Sequence, residues 1–205
     1  VDVRFVQPFD VKDGSKMVSK YQLSRGMEFL DVSSAEDDDA SISAVASIAK
    51  INTGLTIATS IESFDILKQR HINEVAGVSK RYERLASAGY HTGAFQSIKS
   101  VFISKDGKSV LGQIGLPEGY VHEHDSYYHS HPAVLDGAFQ LFGFVTEVPE
   151  KEAWVPASIS RIAMHRGGRF NGRGQIWACM KLLEDGPKMK TFGIEIYERE
   201  ELCLS

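Results

Sequence analysis

The sequence predicts an α+β fold in which antiparallel strands surround one apolar helix. Short runs rich in β-branched and aromatic residues recur along the chain, separated by turns built from Gly, Asp and Ser. One segment breaks that pattern: from Pro132, the residues Val134, Leu135, Ala138, Leu141, Phe142 and Val145 return at helical spacing. At 205 residues, 42% of them hydrophobic, the chain is long enough to bury a sizeable core in one domain or two small ones.

In chain order, residues 1–11 read as a strand, followed by a turn at Lys12-Asp13-Gly14-Ser15-Lys16. Residues 17–23 and 27–32 read as a hairpin around Ser24-Arg25-Gly26. The acidic run Glu36-Asp37-Asp38-Asp39 reads as a solvated turn, because no spaced His or Cys accompanies it as a metal ligand would. Residues 42–51 suit another strand. A short helix over 61–70 sits in a connecting stretch, and a second is predicted over 79–88. Strands at 97–104, 109–116 and 159–165 flank the apolar helix. A final hairpin joins 175–183 to 190–198 through Glu184-Asp185-Gly186-Pro187.

A net charge of −4 and a pI near 6.0 give no basic footprint for nucleic acid. No apolar run approaches the ~20 residues of a membrane span, and no secretory signal opens the chain, so a cytoplasmic location is expected. Cys179 and Cys203 match no metal or redox motif and are expected as reduced structural thiols. The chain starts at Val1 without Met and stops at Glu200-Glu201-Leu202-Cys203-Leu204-Ser205 after a strand-like run; both ends read as cut from something longer.

The residues that carry chemistry lie at the apolar helix. Pro132 suits its first position, where the missing N–H has no partner to lose. Asp136 and Gln140 are four apart, one above the other on one face, so the Gln140 amide is placed to donate to the carboxylate. Spacing alone leaves two readings of Asp136 open: an oriented acid for catalysis, or a cap and dipole partner near the helix N-terminus. His131 is expected to order the turn before the helix. The set His122, His124, His129 and His131 matches no compact zinc spacing and reads as a polar loop. Arg161, Arg166, Arg169 and Arg173 read as a solvated loop, with a grip on phosphate as the alternative.

His131-Pro132-x-x-Leu135-Asp136-x-x-x-Gln140 resembles the signature of dehydratase domains of modular polyketide synthases and of related fatty acid synthase dehydratases. Tyr82-Glu83-Arg84-Leu85, Gly89-Tyr90 and Gly93-Ala94-Phe95-Gln96 resemble the family's Tyr-x-x-Leu…Gly-Leu/Tyr-x-Tyr-Gly-Pro-x-Phe-Gln segment. Trp154-Val155-Pro156-Ala157-Ser158-Ile159 resembles its Leu-Pro-x-Ser strand, and Val3-Arg4-Phe5-Val6-Gln7-Pro8-Phe9-Asp10-Val11 resembles a strand of its N-terminal half. The resemblance implies a double hot dog, each unit an antiparallel sheet wrapped on a central helix. Residues 1–55 would be the remainder of an incomplete N-terminal hot dog, 56–80 a connector and 81–205 the C-terminal hot dog.

The resemblance also implies the reaction: loss of water from a β-hydroxyacyl thioester held on the phosphopantetheine of acyl carrier protein, with no cofactor of the domain's own and no metal. Asp136 would be the acid that protonates the leaving hydroxyl, supported by Gln140, His131, Tyr90 and Thr92. Gly93, Phe95, Pro132 and Leu135 would shape the thioester channel, with Gly93 on the oxyanion side. Neighbouring synthase domains, acyl carrier protein and a second copy in a homodimer are the implied partners.

Two departures stand against the family pattern. None of the seven histidines has Gly four and Pro nine positions later, as the family's base motif requires. Thr92-Gly93-Ala94 stands where the family has Tyr-Gly-Pro. These keep open a domain of altered outcome, a double-bond isomerase or pyran-forming cyclase, or a non-catalytic docking domain.

Overall fold

The computed structural model describes residues 2–5, 17–24, 27–34, 42–48, 62–87, 91–120, 130–146, 156–162 and 174–205. In chain order the first half holds β1 (Asp2–Phe5), β2 (Met17–Ser24), β3 (Met27–Ser34), β4 (Ile42–Ile48), α1 (Phe64–Arg70), β5 (Asn73–Glu74), α2 (Val78–Ser87), β6 (Ile98–Ile103) and β7 (Ser109–Ile114). The second half holds α3 (Pro132–Gln140), α4 (Phe142–Val145), β8 (Ser158–Ile159), β9 (Ile176–Asp185), β10 (Lys190–Glu198) and β11 (Glu201–Leu204). The chain divides into two units, residues 1–59 with 153–162, and residues 60–152 with 163–205.

The first unit is a five-stranded antiparallel sheet in the order β2-β3-β4-β1-β8. Its hairpin keeps one register from Met17 opposite Ser34 to Ser24 opposite Met27. The predicted strands over 1–11 and 42–51 are described as β1 and β4; the acidic run 36–39 lies outside the described residues.

The second unit is a six-stranded antiparallel sheet, β11-β10-β9-β7-β6-β5, against which α3 packs through β7, β9 and β10. Val110, Ile114, Ala178, Met180 and Ile196 meet Val134 and Ala138 of α3, and Leu141 just after it, in one core cluster. Gly112 makes the approach possible, since a Cβ there would lie 2.5 Å from Leu141 Cδ2. The other face of the sheet is covered as well: Leu111, Cys179 and Tyr197 pack with Phe64 and Leu67 of α1. Neighbouring residues of a strand point to opposite faces, which is why Val110 and Leu111 are both buried.

Seven residues are too few for a helix to be stable alone in water. Burial of Phe64 and Leu67, roughly 1.5–3 kcal/mol each, is what holds α1 in place, with the Ser63 hydroxyl accepting from the Ile66 N–H at its start.

Several expectations change. Of residues 56–80, expected as connector, 60–80 fall in the second unit, where α1 covers the sheet and β5 pairs with β6. Of the strand expected over 159–165, the described residues show only β8 (Ser158–Ile159), which pairs with β1 in the first unit. The apolar helix is interrupted at Leu141, so Phe142 and Val145 belong to a separate turn, α4. The last hairpin turns at residues 186–189, with Gly186 N–H donating to Met189 O. A further hairpin joins β10 to β11 through Arg199 and Glu200, both left-handed at φ 50° and 70°. Such two-residue turns usually carry Gly or Asn, so this one lacks its common sequence signal.

Candidate active site

The site is built on α3. His131 caps the helix, its Nδ1 accepting the Ala133 N–H at 3.2 Å, and its ring stands edge-on to Tyr120 at 5.8 Å. Pro132 follows at the first turn. Because His131 fills the capping role, Asp136 lies beyond the first turn, and the capping reading of Asp136 falls away.

Asp136 is instead held by its neighbour one turn on. Gln140 Nε2 donates to Asp136 Oδ2 and also, at 2.9 Å, to the Phe95 carbonyl. Gln140 Oε1 accepts from the Tyr82 hydroxyl at 2.8 Å, and the Tyr82 oxygen in turn accepts the Ile98 N–H at 3.0 Å. Gln140 is only 7% exposed, so leaving either end of its amide unpaired would be costly; here both ends are used. Burial pushes the Tyr82 phenol up to about 12, and the Asp136 carboxylate adds to that shift.

The approach of the 91–98 segment to α3 depends on small residues. A Cβ on Gly137 would lie 2.1 Å from the Ser97 hydroxyl, which is fully buried and donates to the Ala133 carbonyl at 2.8 Å. From Ser97 the chain leads back to a 3-10 turn, Gly93–Phe95, whose Gly93 sits in the left-handed region at φ +58°. On the far side, Arg81 of α2 donates to Gly143 O at 2.9 Å and its guanidinium lies 4.8 Å from the Phe144 ring centre. Tyr82, Phe95, Asp136 and Gln140 are thus fixed by three converging segments.

His91 enters the site from the same segment. Its Nδ1 is 3.5 Å from Asp136 Oδ2, both side chains are about one-third exposed (32% and 35%), and its backbone is left-handed at φ 50°. An Asp that is oriented yet reachable by solvent can take up and release a proton.

Of the residues singled out from sequence, Asp136, Gln140 and Phe95 are brought together by hydrogen bonds, with Gly93 two residues from Phe95 in the same turn. Thr92 is exposed at the start of that turn and makes no side-chain cap. Pro132 and Leu135 are half-buried, and Leu135 packs against the core. His131 serves the helix end. Tyr90, His122, His124, His129, Arg166, Arg169 and Arg173 lie outside the described residues, and Arg161 is exposed. His91 and the partnering of Tyr82 with Gln140 were not foreseen. The available signal was position: both flank the Gly-rich segment already matched to the family.

Among the described residues no three His, Cys, Asp or Glu side chains gather as a metal site, and no helix is long and apolar enough to cross a membrane. Cys179 and Cys203 are free, and burial pushes the Cys179 thiol up to about 12.

The family model described as the polyketide synthase dehydratase N-terminal domain matches residues 65–201, which include every residue of this site. The chain belongs to the polyketide synthase dehydratase family. A highly reducing polyketide synthase, sphB of Aspergillus fumigatus, is 28% identical over 93 residues, a match covering 43% of this chain and 4% of that protein. The chain therefore spans only a small part of the curated relative it matches. Among solved structures, the dehydratase domain of a mycocerosic acid synthase-like polyketide synthase aligns with a TM-score of 0.79 at 17% identity, over 99% of this chain and 70% of that one. The dehydratase domain of the CurJ module of curacin polyketide synthase aligns at 0.77 and 16%, over 99% and 70%. That of the CurK module aligns at 0.72 and 21%, over 99% and 69%. At these identities the structures establish the shared fold: the antiparallel sheet packed on α3 is the hot dog of dehydratase domains.

Proposed function

We propose that the chain is the acid-bearing part of a dehydratase that converts a β-hydroxyacyl thioester, carried on the phosphopantetheine of acyl carrier protein, to the α,β-enoyl thioester. The observation that carries this reading is the fixed, part-exposed Asp136 carboxyl held through Gln140. In the reaction a base removes the α-proton, the α-carbon electrons form the new double bond, and the β-carbon–oxygen bond breaks. Asp136 gives its proton to the departing hydroxyl, which leaves as water. The step is an elimination of water with no net change of oxidation state, so it needs no redox partner. Solved relatives include CurK dehydratases named as inactive mutants, one with His replaced by Phe and one with Asp replaced by Asn. By analogy the base is a His, and Asp136 answers to the second. Gly93 and Phe95, beside the Asp helix, would border the thioester, and the carrier protein and adjoining synthase domains would be the partners.

Thr92, standing where the family has Tyr, favours a second reading: a dehydratase-like domain that is non-catalytic or of altered outcome. One experiment addresses both. The full-length protein is incubated with β-hydroxyacyl carrier protein and the acyl chain is read by intact-protein mass spectrometry. Loss of one water with the wild type, and none with Asp136→Asn of unchanged thermal stability, is the expected result. Undiminished loss of water in Asp136→Asn would remove Asp136 from the mechanism, and a bond shift without loss of water would establish the second reading.

A further inference from the structure

We infer that Tyr82 is a positioning residue for Asp136, acting through Gln140 to decide which carboxyl oxygen carries the proton. The argument runs along the direction of the hydrogen bonds. The Ile98 N–H is a backbone donor and has only one role, so the Tyr82 oxygen accepts from it at 3.0 Å. The hydroxyl proton of Tyr82 is then free to point at Gln140, 2.8 Å away, and the group facing it must be the amide oxygen. That sets the orientation of the whole Gln140 amide. Its NH₂ turns the other way, toward the Phe95 carbonyl and Asp136 Oδ2.

A carboxyl oxygen that accepts an N–H is a poor place for a proton, so in the neutral acid Oδ2 is the carbonyl oxygen and Oδ1 bears the hydrogen. Oδ1 is the oxygen left to face a substrate. Tyr82 keeps its own proton across the working range because burial holds its phenol near 12. The direction of the chain therefore does not reverse with pH. Tyr82 is 7% exposed, lies 58 residues from Gln140 in sequence and touches no reacting atom on this account, which makes its influence indirect.

The kinetic arm of the test rests on the dehydratase reading; the labelling arm does not. In the full-length protein, Tyr82→Phe is expected to lower kcat about tenfold with KM little changed, the rate equivalent of one hydrogen bond's worth of orientation. In a Gln140→Ala background the same substitution should have no further effect on kcat, because the route to Asp136 is already cut. An equal loss in both backgrounds, or no loss in either, overturns the proposal.

Carbodiimide labelling of Asp136, followed across pH by peptide mass spectrometry, reads the carboxyl whether or not the protein turns over. Tyr82→Phe should move the labelling midpoint upward, since a loosened amide stabilises the carboxylate less. Introducing 3-fluorotyrosine at Tyr82 keeps the side-chain shape and strengthens the hydroxyl as a donor, so it should move the midpoint downward. This second variant also serves if Tyr82→Phe fails to fold with the Ile98 N–H left unpaired. Midpoints that stay at the wild-type value overturn the inference, while a shifted midpoint in a protein that releases no water leaves it standing and overturns the dehydratase reading alone.

Discussion

His91 Nδ1 lies 3.5 Å from Asp136 Oδ2, the same oxygen that receives the Gln140 amide. The contact joins a left-handed residue of the segment before the 3-10 turn to the fifth residue of α3. Both side chains are about one-third exposed, so solvent screens the interaction. Asn tolerates the left-handed backbone that His91 adopts. On the dehydratase reading, His91→Asn should therefore keep the fold and slow turnover by at most about fivefold, the rate equivalent of a screened contact worth up to about 1 kcal/mol. A loss as deep as that of Asp136→Asn would promote His91 to the reaction itself, and steady-state kcat of the two variants measured side by side decides it.

Gly137 leaves room on α3 for the Ser97 side chain. Ala at a helix interior normally gains about 1 kcal/mol over Gly. Here its Cβ would sit 2.1 Å from the buried Ser97 hydroxyl and break the bond to the Ala133 carbonyl. Overpacking of this kind costs about 1–3 kcal/mol, so Gly137→Ala should lower stability in a denaturant melt. Removing the obstructing oxygen tests the cause: the double variant with Ser97→Ala should recover part of the loss, and an unimproved double variant would place the strain elsewhere.

His71 makes stability depend on pH. It is 3% exposed, with Nδ1 2.7 Å from the Leu67 carbonyl and Nε2 2.9 Å from the Ser109 hydroxyl. The carbonyl can only accept, so Nδ1 carries a proton; in the neutral ring that leaves Nε2 to accept from the Ser109 hydroxyl. Burial holds its pKa below the ordinary 6.5, with Arg70 adding to the depression and the Leu67 carbonyl opposing it. The unfolded chain thus binds a proton that the folded one refuses. The contribution to stability is complete above 6.5 and is lost as pH falls from there toward the depressed native value. Melting temperatures taken across that range should fall on the acid side, and His71→Gln, which does not titrate, should flatten the slope; an equal slope in the variant would assign the effect to other groups.

The sequence by itself determined the α+β class, most of the strands and the helix that carries Asp136. These depend on local rules: period-two and helical spacing, Pro132 at the first turn, and the four-residue offset that stacks Gln140 on Asp136. What it left open depends on partners distant in the chain. The strand at Ser158–Ile159 pairs with Arg4 and Val3, and nothing in its own residues names that partner. α1 belongs to the second unit because Phe64 and Leu67 find Leu111, Cys179 and Tyr197, an assignment made by burial and not by helix propensity. His131, and not Asp136, caps α3, since the imidazole reaches the Ala133 N–H and leaves the carboxyl free for Gln140. Tyr82 and His91 take their places beside Asp136 only when α2, the 91–98 segment and α3 have packed together. Spacing in sequence orients side chains within one element; only packing brings a hydroxyl, an amide and a carboxyl from three segments into one chain of hydrogen bonds.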